Sequence, residues 1–104
     1  MVTIESVDEL ERMLKVLSNP IRLKIIASLQ GQPNHAYALA KQLGLSYPLA
    51  HLYLESLERA GLIEGSRVLS IEDERERILY RLKDFRVELT PEFISKLVNS
   101  GGHN

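Results

Sequence analysis

Apolar residues recur at helical spacing in five stretches of this chain and alternate with polar ones in two short stretches after Ile63. In the first, Leu10, Met13, Leu14 and Leu17 fall at i, i+3, i+4 and i+7, and Ser6-Val7-Asp8-Glu9 reads as a capping box that opens a helix running to about Leu17. Residues 1–5, ahead of the cap, are expected to fray. Asn19-Pro20 restarts the chain as N-cap and N1, Ile21, Ile25, Ile26 and Leu29 bury the second helix, and Gly31 stops it. Arg22 and Lys24 read as solvated or phosphate-facing positions on that helix. Gln32-Pro33-Asn34 is a polar connector, and Asn34 or His35 leads into a short third helix over Ala36–Leu43, closed by Gly44.

The fourth stretch, Leu45–Ile63, carries both of its ends in sequence. Ser46 is a good N-cap, Pro48 sits in the first turn where a missing N–H costs nothing, and Gly61 is placed for a left-handed cap. With Gly61 as C′, Leu57 and Leu62 are the apolar pair that accompanies a Schellman ending. Ala50, Leu54 and Leu57 make one buried stripe with Tyr53 and Ala60 beside it, which leaves Tyr47, His51, Leu52 and Glu55 on the other side.

After Ile63 the period changes. Val68–Ile71 and Ile78–Leu82 are β-prone runs on either side of Glu72-Asp73-Glu74-Arg75, so a hairpin with a loop of about four residues is predicted. Ile78, Tyr80 and Leu82 alternate with Arg77, Leu79 and Arg81, putting one face on the helices and Arg77 and Arg81 toward solvent, and Gly65 is a candidate bulge. Phe85–Leu89 alternates again as a short extended segment. Thr90-Pro91 then starts a final helix with an apolar stripe of Phe93, Ile94, Leu97 and Val98, and the residues from Ser100 onward read as a flexible tail.

Two helices joined across Gly44-Leu45-Ser46 make a helix-turn-helix. The quoted segments resemble the winged helix-turn-helix of the ArsR-type transcriptional regulators and their archaeal relatives. Ala-Leu-Ala-Lys-Gln-Leu-Gly-Leu-Ser enters the fourth helix and Leu-Glu-Arg-Ala-Gly-Leu-Ile leaves it, while Leu17–Ile26 is similar to that family's second helix and Tyr80-Arg81-Leu82 to the end of its wing. The resemblance covers roughly Glu9 to Leu82. It implies a single mainly α domain over 1–104 with a small β-hairpin wing, in the order α-α-α-α-β-β-α, with the helix-turn-helix at 36–60 and the wing at 63–82. It further implies a homodimer built from helices 7–17 and 90–99, with Leu10, Met13, Leu14, Leu17, Phe93, Ile94, Leu97 and Val98 at the interface.

The chain has 104 residues, 44% of them hydrophobic and 26% charged, which suits one globular domain small enough to gain from dimerisation. No apolar run is long enough to span a bilayer and no export signal stands at the N-terminus, so a cytoplasmic location is expected. The absence of cysteine removes thiolate metal sites and thiol switches, by which many members of the resembled family sense metals. His51 and Glu55 lie at i, i+4 but have no third ligand at a suitable spacing, so no metal and no other cofactor is expected. Nor do paired acids or a nucleophile with its base appear on a common wall, and no enzyme is expected.

For DNA the argument is geometric. Tyr47, Pro48, His51, Leu52 and Glu55 are outward positions of the first turns of a recognition helix, where base edges in a major groove are reached. His51 can donate to or accept from a base edge, Leu52 can pack on a thymine methyl, Glu55 can accept from a cytosine amino group, and Ser46 and Tyr47 can bond phosphates. Net charge works against this, at −1 overall, and the recognition helix holds one Arg against two Glu. Where the family usually carries a Ser-Arg-His-Leu-Lys-like run, this chain has His51-Leu52-Tyr53-Leu54-Glu55. Phosphate neutralisation is therefore left to Lys41, Arg67, Arg75, Arg77 and Arg81, which predicts a shallow salt dependence. The expected partners are double-stranded DNA with an inverted-repeat site and a second copy of the chain, with the small-molecule effector, if one acts, unknown. The alternative is a winged-helix module that docks protein through Leu52, Glu55 and Glu58.

Overall fold

The computed structural model of the chain describes residues 2–69 and 76–101. The elements run α1 Val7–Leu17, α2 Pro20–Gly31, β1 Asn34–His35, α3 Ala36–Leu43, α4 Tyr47–Arg59, β2 Ile63–Leu69, β3 Glu76–Leu82 and α5 Pro91–Gly101. The strands form one antiparallel sheet of order β1-β3-β2. None of the helices among the described residues is long and apolar enough to cross a membrane.

Helix starts follow the side-chain caps. Asn19 Oδ1 accepts from the N–H groups of Ile21 and Arg22 at 2.8 and 3.1 Å, and Thr90 Oγ1 accepts from Phe93 N–H at 3.0 Å. Ser6 Oγ accepts from Glu9 N–H at 3.1 Å, but the Glu9 carboxylate reaches one residue further back than a capping box requires and takes the Glu5 N–H at 2.6 Å. The segment before α1 is therefore tied down, and Val2 and Ile4 pack against the core.

The core gathers Met13, Ile25, Leu29, Leu39, Leu54, Leu57, Leu62, Ile63 and Tyr80 from every element except α5 and β1. Leu10 of α1 and Leu97 of α5 are buried outside this cluster, where the first and last helices pack together. Residues 83–90 form neither helix nor strand, and the alternation predicted over Phe85–Leu89 is realised as far as Glu88, with Phe85 and Val87 packed on the core and Arg86 and Glu88 outside, paired at 3.0 Å, while Leu89 is exposed. The final helix continues to Gly101, so Ser100 belongs to it and not to a tail.

Other departures from the sequence reading have physical causes. The connector before α3 contains a strand, because Asn34 and His35 find Tyr80 and Leu79 as partners. The hairpin strands are longer than their β-prone runs, since β2 begins at Ile63 directly after the helix cap. Gly65 is no bulge, because the register runs unbroken through Glu64↔Arg81, Gly65↔Tyr80 and Ser66↔Leu79. The expected turn at Glu72–Arg75 lies outside the described residues.

Candidate nucleic-acid interface

The helix-turn-helix is set by local chemistry at three points. Gly44 adopts φ +68°, a left-handed conformation that ends α3, and the Leu45 N–H bonds back to Ala40 C=O at 2.8 Å. Ser46 Oγ caps α4 by accepting from Leu49 N–H at 3.3 Å, with Pro48 in the first turn. At the other end Gly61 takes φ +81°, and Leu62 N–H bonds to Leu57 C=O at 3.1 Å, the Schellman closure. Ala50, Leu54 and Leu57 are 0% exposed, so the register of α4 about its own axis is fixed by the core.

That rotation decides what faces outward. Tyr47, Pro48, Leu52 and Glu55 are exposed, His51 is half-buried, and Leu52 at 58% exposure has no share in the core. The Tyr47 and His51 rings lie 5.9 Å apart, tilted by 55°, one turn apart on the same face. Ser46 is exposed with its oxygen committed to the cap, leaving its O–H to donate, and Lys41 is exposed in the last turn of α3.

Beside these first turns runs the wing. Tyr47 and His51 share a groove of about 750 Å³ with His35, Ala36 and Tyr37 at the start of α3, and with Arg77, Ile78 and Tyr80 of β3. Arg77 Nη1 lies 3.2 Å from His35 Nε2 and the Ala38 N–H lies 3.4 Å from His35 Nδ1, so His35 sits between the wing and the start of α3, its neutral imidazole accepting at one of these two nitrogens. Tyr80 is buried behind them. Burial pushes its phenol above the ordinary tyrosine value, and Glu58, Tyr47 and Glu55 add to the shift. The Glu58 carboxylate accepts from Gly65 N–H at 3.0 Å, which fastens the base of β2 to α4.

The sequence-predicted contact residues thus divide. Tyr47, His51 and Arg77 come together in the groove, while Ser46, Pro48, Leu52 and Glu55 are exposed on α4 and its cap outside the groove's lining. Arg67 and Arg81 are exposed on the wing, Arg81 in register with Glu64, and Arg75 lies outside the described residues. Further out on the hairpin Val68, Leu69 and Ile78 are exposed, so of the face predicted to pack on the helices Tyr80 and Leu82 do so and Ile78 does not. Arg22 is no phosphate-facing cation. Its Nη1 donates to the Val16 C=O at 3.1 Å and lies 3.4 Å from that of Lys15, and the guanidinium sits 5.4 Å from the Tyr53 ring centroid. His35 and Tyr37 are additions to the site that sequence reasoning did not assign. Their place depends on the β1 to β3 pairing, which no local signal announces. Among the described residues no group of three His, Asp or Glu side chains is arranged to hold a metal ion.

This architecture has relatives. The profile of the bacterial regulatory protein, arsR family, matches residues 19–65, the span from the α2 cap to the start of the wing. The chain is 43% identical over 86 residues to an uncharacterised HTH-type transcriptional regulator of Methanocaldococcus jannaschii, covering 83% of this chain and 88% of that protein. Among solved structures it is similar to the homodimeric winged helix-turn-helix DNA-binding domain of a possible ArsR-family regulator from Mycobacterium bovis, at 25% identity and TM-score 0.63, over 93% of this chain and 78% of that one. It shares its fold with the transcriptional repressor BigR from Xylella fastidiosa, at 24% identity and TM-score 0.62, over 92% and 86% of the two chains. With the cap-to-wing motif, the helix order and the archaeal relative in agreement, the chain belongs to the ArsR family of winged helix-turn-helix transcriptional regulators.

Proposed function

We propose that the protein is a sequence-specific regulator that binds double-stranded DNA as a homodimer, with α4 in the major groove and the hairpin wing on the backbone. The observation that carries this reading is the rotation of α4. Its buried stripe leaves Tyr47, His51, Leu52 and Glu55 facing outward from the first turns, beside the Arg77 side of the wing. His51 then reads a base edge, Leu52 meets a thymine methyl and Glu55 accepts from a cytosine amino group, while Ser46 and Tyr47 bond phosphates. Lys41, Arg67, Arg75, Arg77 and Arg81 supply the neutralising charge. Arg67 and Arg77 have partners within the molecule, which supports the expectation of few released counterions and a shallow salt slope.

The homodimeric Mycobacterium bovis domain supports a second copy as partner. Here α1 and α5 would supply the seam, through Leu14, Ile94 and Val98, which stay exposed after the two helices have packed together. Two recognition helices related by a two-fold axis meet half-sites about 10 bp apart, or a multiple of that, so the operator is an inverted repeat. No catalysis is proposed.

Selection from a random duplex pool at low and near-physiological salt tests this reading. An inverted repeat enriched at both salts is the expected outcome. Retention of no duplex even at low salt would contradict it and turn attention to protein docking, which the net charge of −1 and the exposed Leu52 favour.

A further inference from the structure

A second cleft, of about 460 Å³, opens between the N-terminal segment, α1 and the last turn of α4, and shares no residue with the groove at the start of that helix. Its floor is apolar. Val2, Ile4 and Val16 pack against the core there and Met13 is buried in it. The volume lies within the range of small-molecule sites, about 300–1,000 Å³.

Its mouth is cationic. Arg12 comes from α1 and Arg59 from the end of α4, both exposed, and among the described residues neither guanidinium makes a hydrogen bond or an ion pair. Lys15 adds a third cation, with only an exposed contact to Glu11 at 3.7 Å that solvent screens. Glu9 is the one acid in the lining, and one of its carboxylate oxygens accepts from the Glu5 N–H. Three cations against one acid, over a hydrocarbon floor, complement a small molecule with an apolar body and one anionic head.

We propose that this cleft binds an amphiphilic monocarboxylate, its hydrocarbon body on Val2, Ile4, Met13 and Val16 and its carboxylate between Arg12 and Arg59. Guanidinium groups suit this because their planar fork matches a carboxylate. Such a ligand ties α1 to the C-terminal turn of α4. Val2 also lies against Gly61, its Cγ2 3.7 Å from where a β-carbon on that glycine would sit, so the floor touches the residue that closes α4. Occupancy therefore bears on the helix that reads DNA and on the helix proposed for the dimer seam, a regulatory consequence that rests on the function proposed above.

Binding is measured on DNA-free protein by calorimetry, with decanoate below its micelle concentration, 1-decanol as the uncharged body and acetate as the isolated head. Decanoate should saturate at one per chain, with both controls weaker by about tenfold or more, the loss expected for a missing charged hydrogen bond or apolar body. The double variant Arg12→Gln/Arg59→Gln, whose folding is checked by its thermal unfolding, should weaken decanoate by about tenfold or more and leave 1-decanol unchanged. Equal binding of decanoate and 1-decanol, or unaltered decanoate binding by the double variant, overturns the proposal. So does self-association through the cleft that the double variant abolishes, since a second copy would then be the occupant. Parent protein that binds decanoate yet retains no duplex keeps the site and removes only the regulator reading, whereas parent that binds duplex and not decanoate removes the site.

Discussion

Gly65 shows how one residue can be constrained by space alone. A β-carbon there would stand 2.7 Å from Ile78 Cγ2 and 3.0 Å from Tyr80 Cε1, on a strand whose register is already fixed on both sides. The buried Tyr80 ring cannot yield without opening the wing's base, so Gly65→Ala should cost about 1–3 kcal/mol in chemical denaturation, as overpacking does. An unchanged midpoint would show that the ring moves aside freely. The contrast between Leu52 and Leu54 is equally local in origin. Two positions apart on one helix, they differ from 58% to 0% exposure, and only the second contributes to the core. Leu52 is thus available for contact with a partner, and its retention on the surface is part of the case for α4 as a reading element.

At the scale of elements, what could be read in the sequence is what short-range chemistry determines. The caps at Ser6, Asn19, Ser46 and Thr90 and the left-handed closures at Gly44 and Gly61 lie within a few residues of what they bond, and the stripe of α4 follows from helical spacing. Contacts across long separations could not be read in this way. His35 meets Arg77 only because β1 pairs with β3, and Tyr37 joins the groove by the same pairing. Arg22 is the clearest case, since a cation at an exposed-looking helical position turns back to bond carbonyls in the last turn of α1 and to cover Tyr53 of α4. Cations at a helix C-terminus satisfy unpaired carbonyls and oppose the helix dipole. Arg22→Ala should therefore destabilise the fold by about 1–3 kcal/mol, the range for a hydrogen bond from a charged group. Arg22→Lys should not restore the loss, since an ammonium has no planar face to lay on the ring. Denaturation of both variants checks this, and full rescue by Lys would reduce the role to simple charge.

The molecule as a whole is elongated, 55 Å in its longest extent against 24 Å in the other two. Its candidate dimer residues separate by burial. Leu10, Met13 and Leu97 are already covered within one protomer, while Leu14, Ile94 and Val98 are 41, 44 and 47% exposed. A charge at Ile94 should accordingly break the dimer and spare the fold: Ile94→Glu should weaken association by about tenfold or more in sedimentation equilibrium with little change in unfolding midpoint. An undiminished dimer would place the seam elsewhere. Leu97→Glu should instead unfold the protomer, because it puts a charge where α1 and α5 meet.

The central claim, that α4 reads base sequence while the wing holds the backbone, is tested most directly on the selected operator. Affinities of the parent, His51→Ala and Arg77→Ala would be measured on that operator and on its single-base-pair variants across a salt series. His51→Ala should flatten discrimination at one position in each half-site, a loss of about 1–3 kcal/mol. Arg77→Ala should weaken all sequences alike and reduce the salt slope by about one. Contradiction would come from a His51→Ala protein that discriminates as the parent does, for then the outward face of α4 is not what reads the DNA.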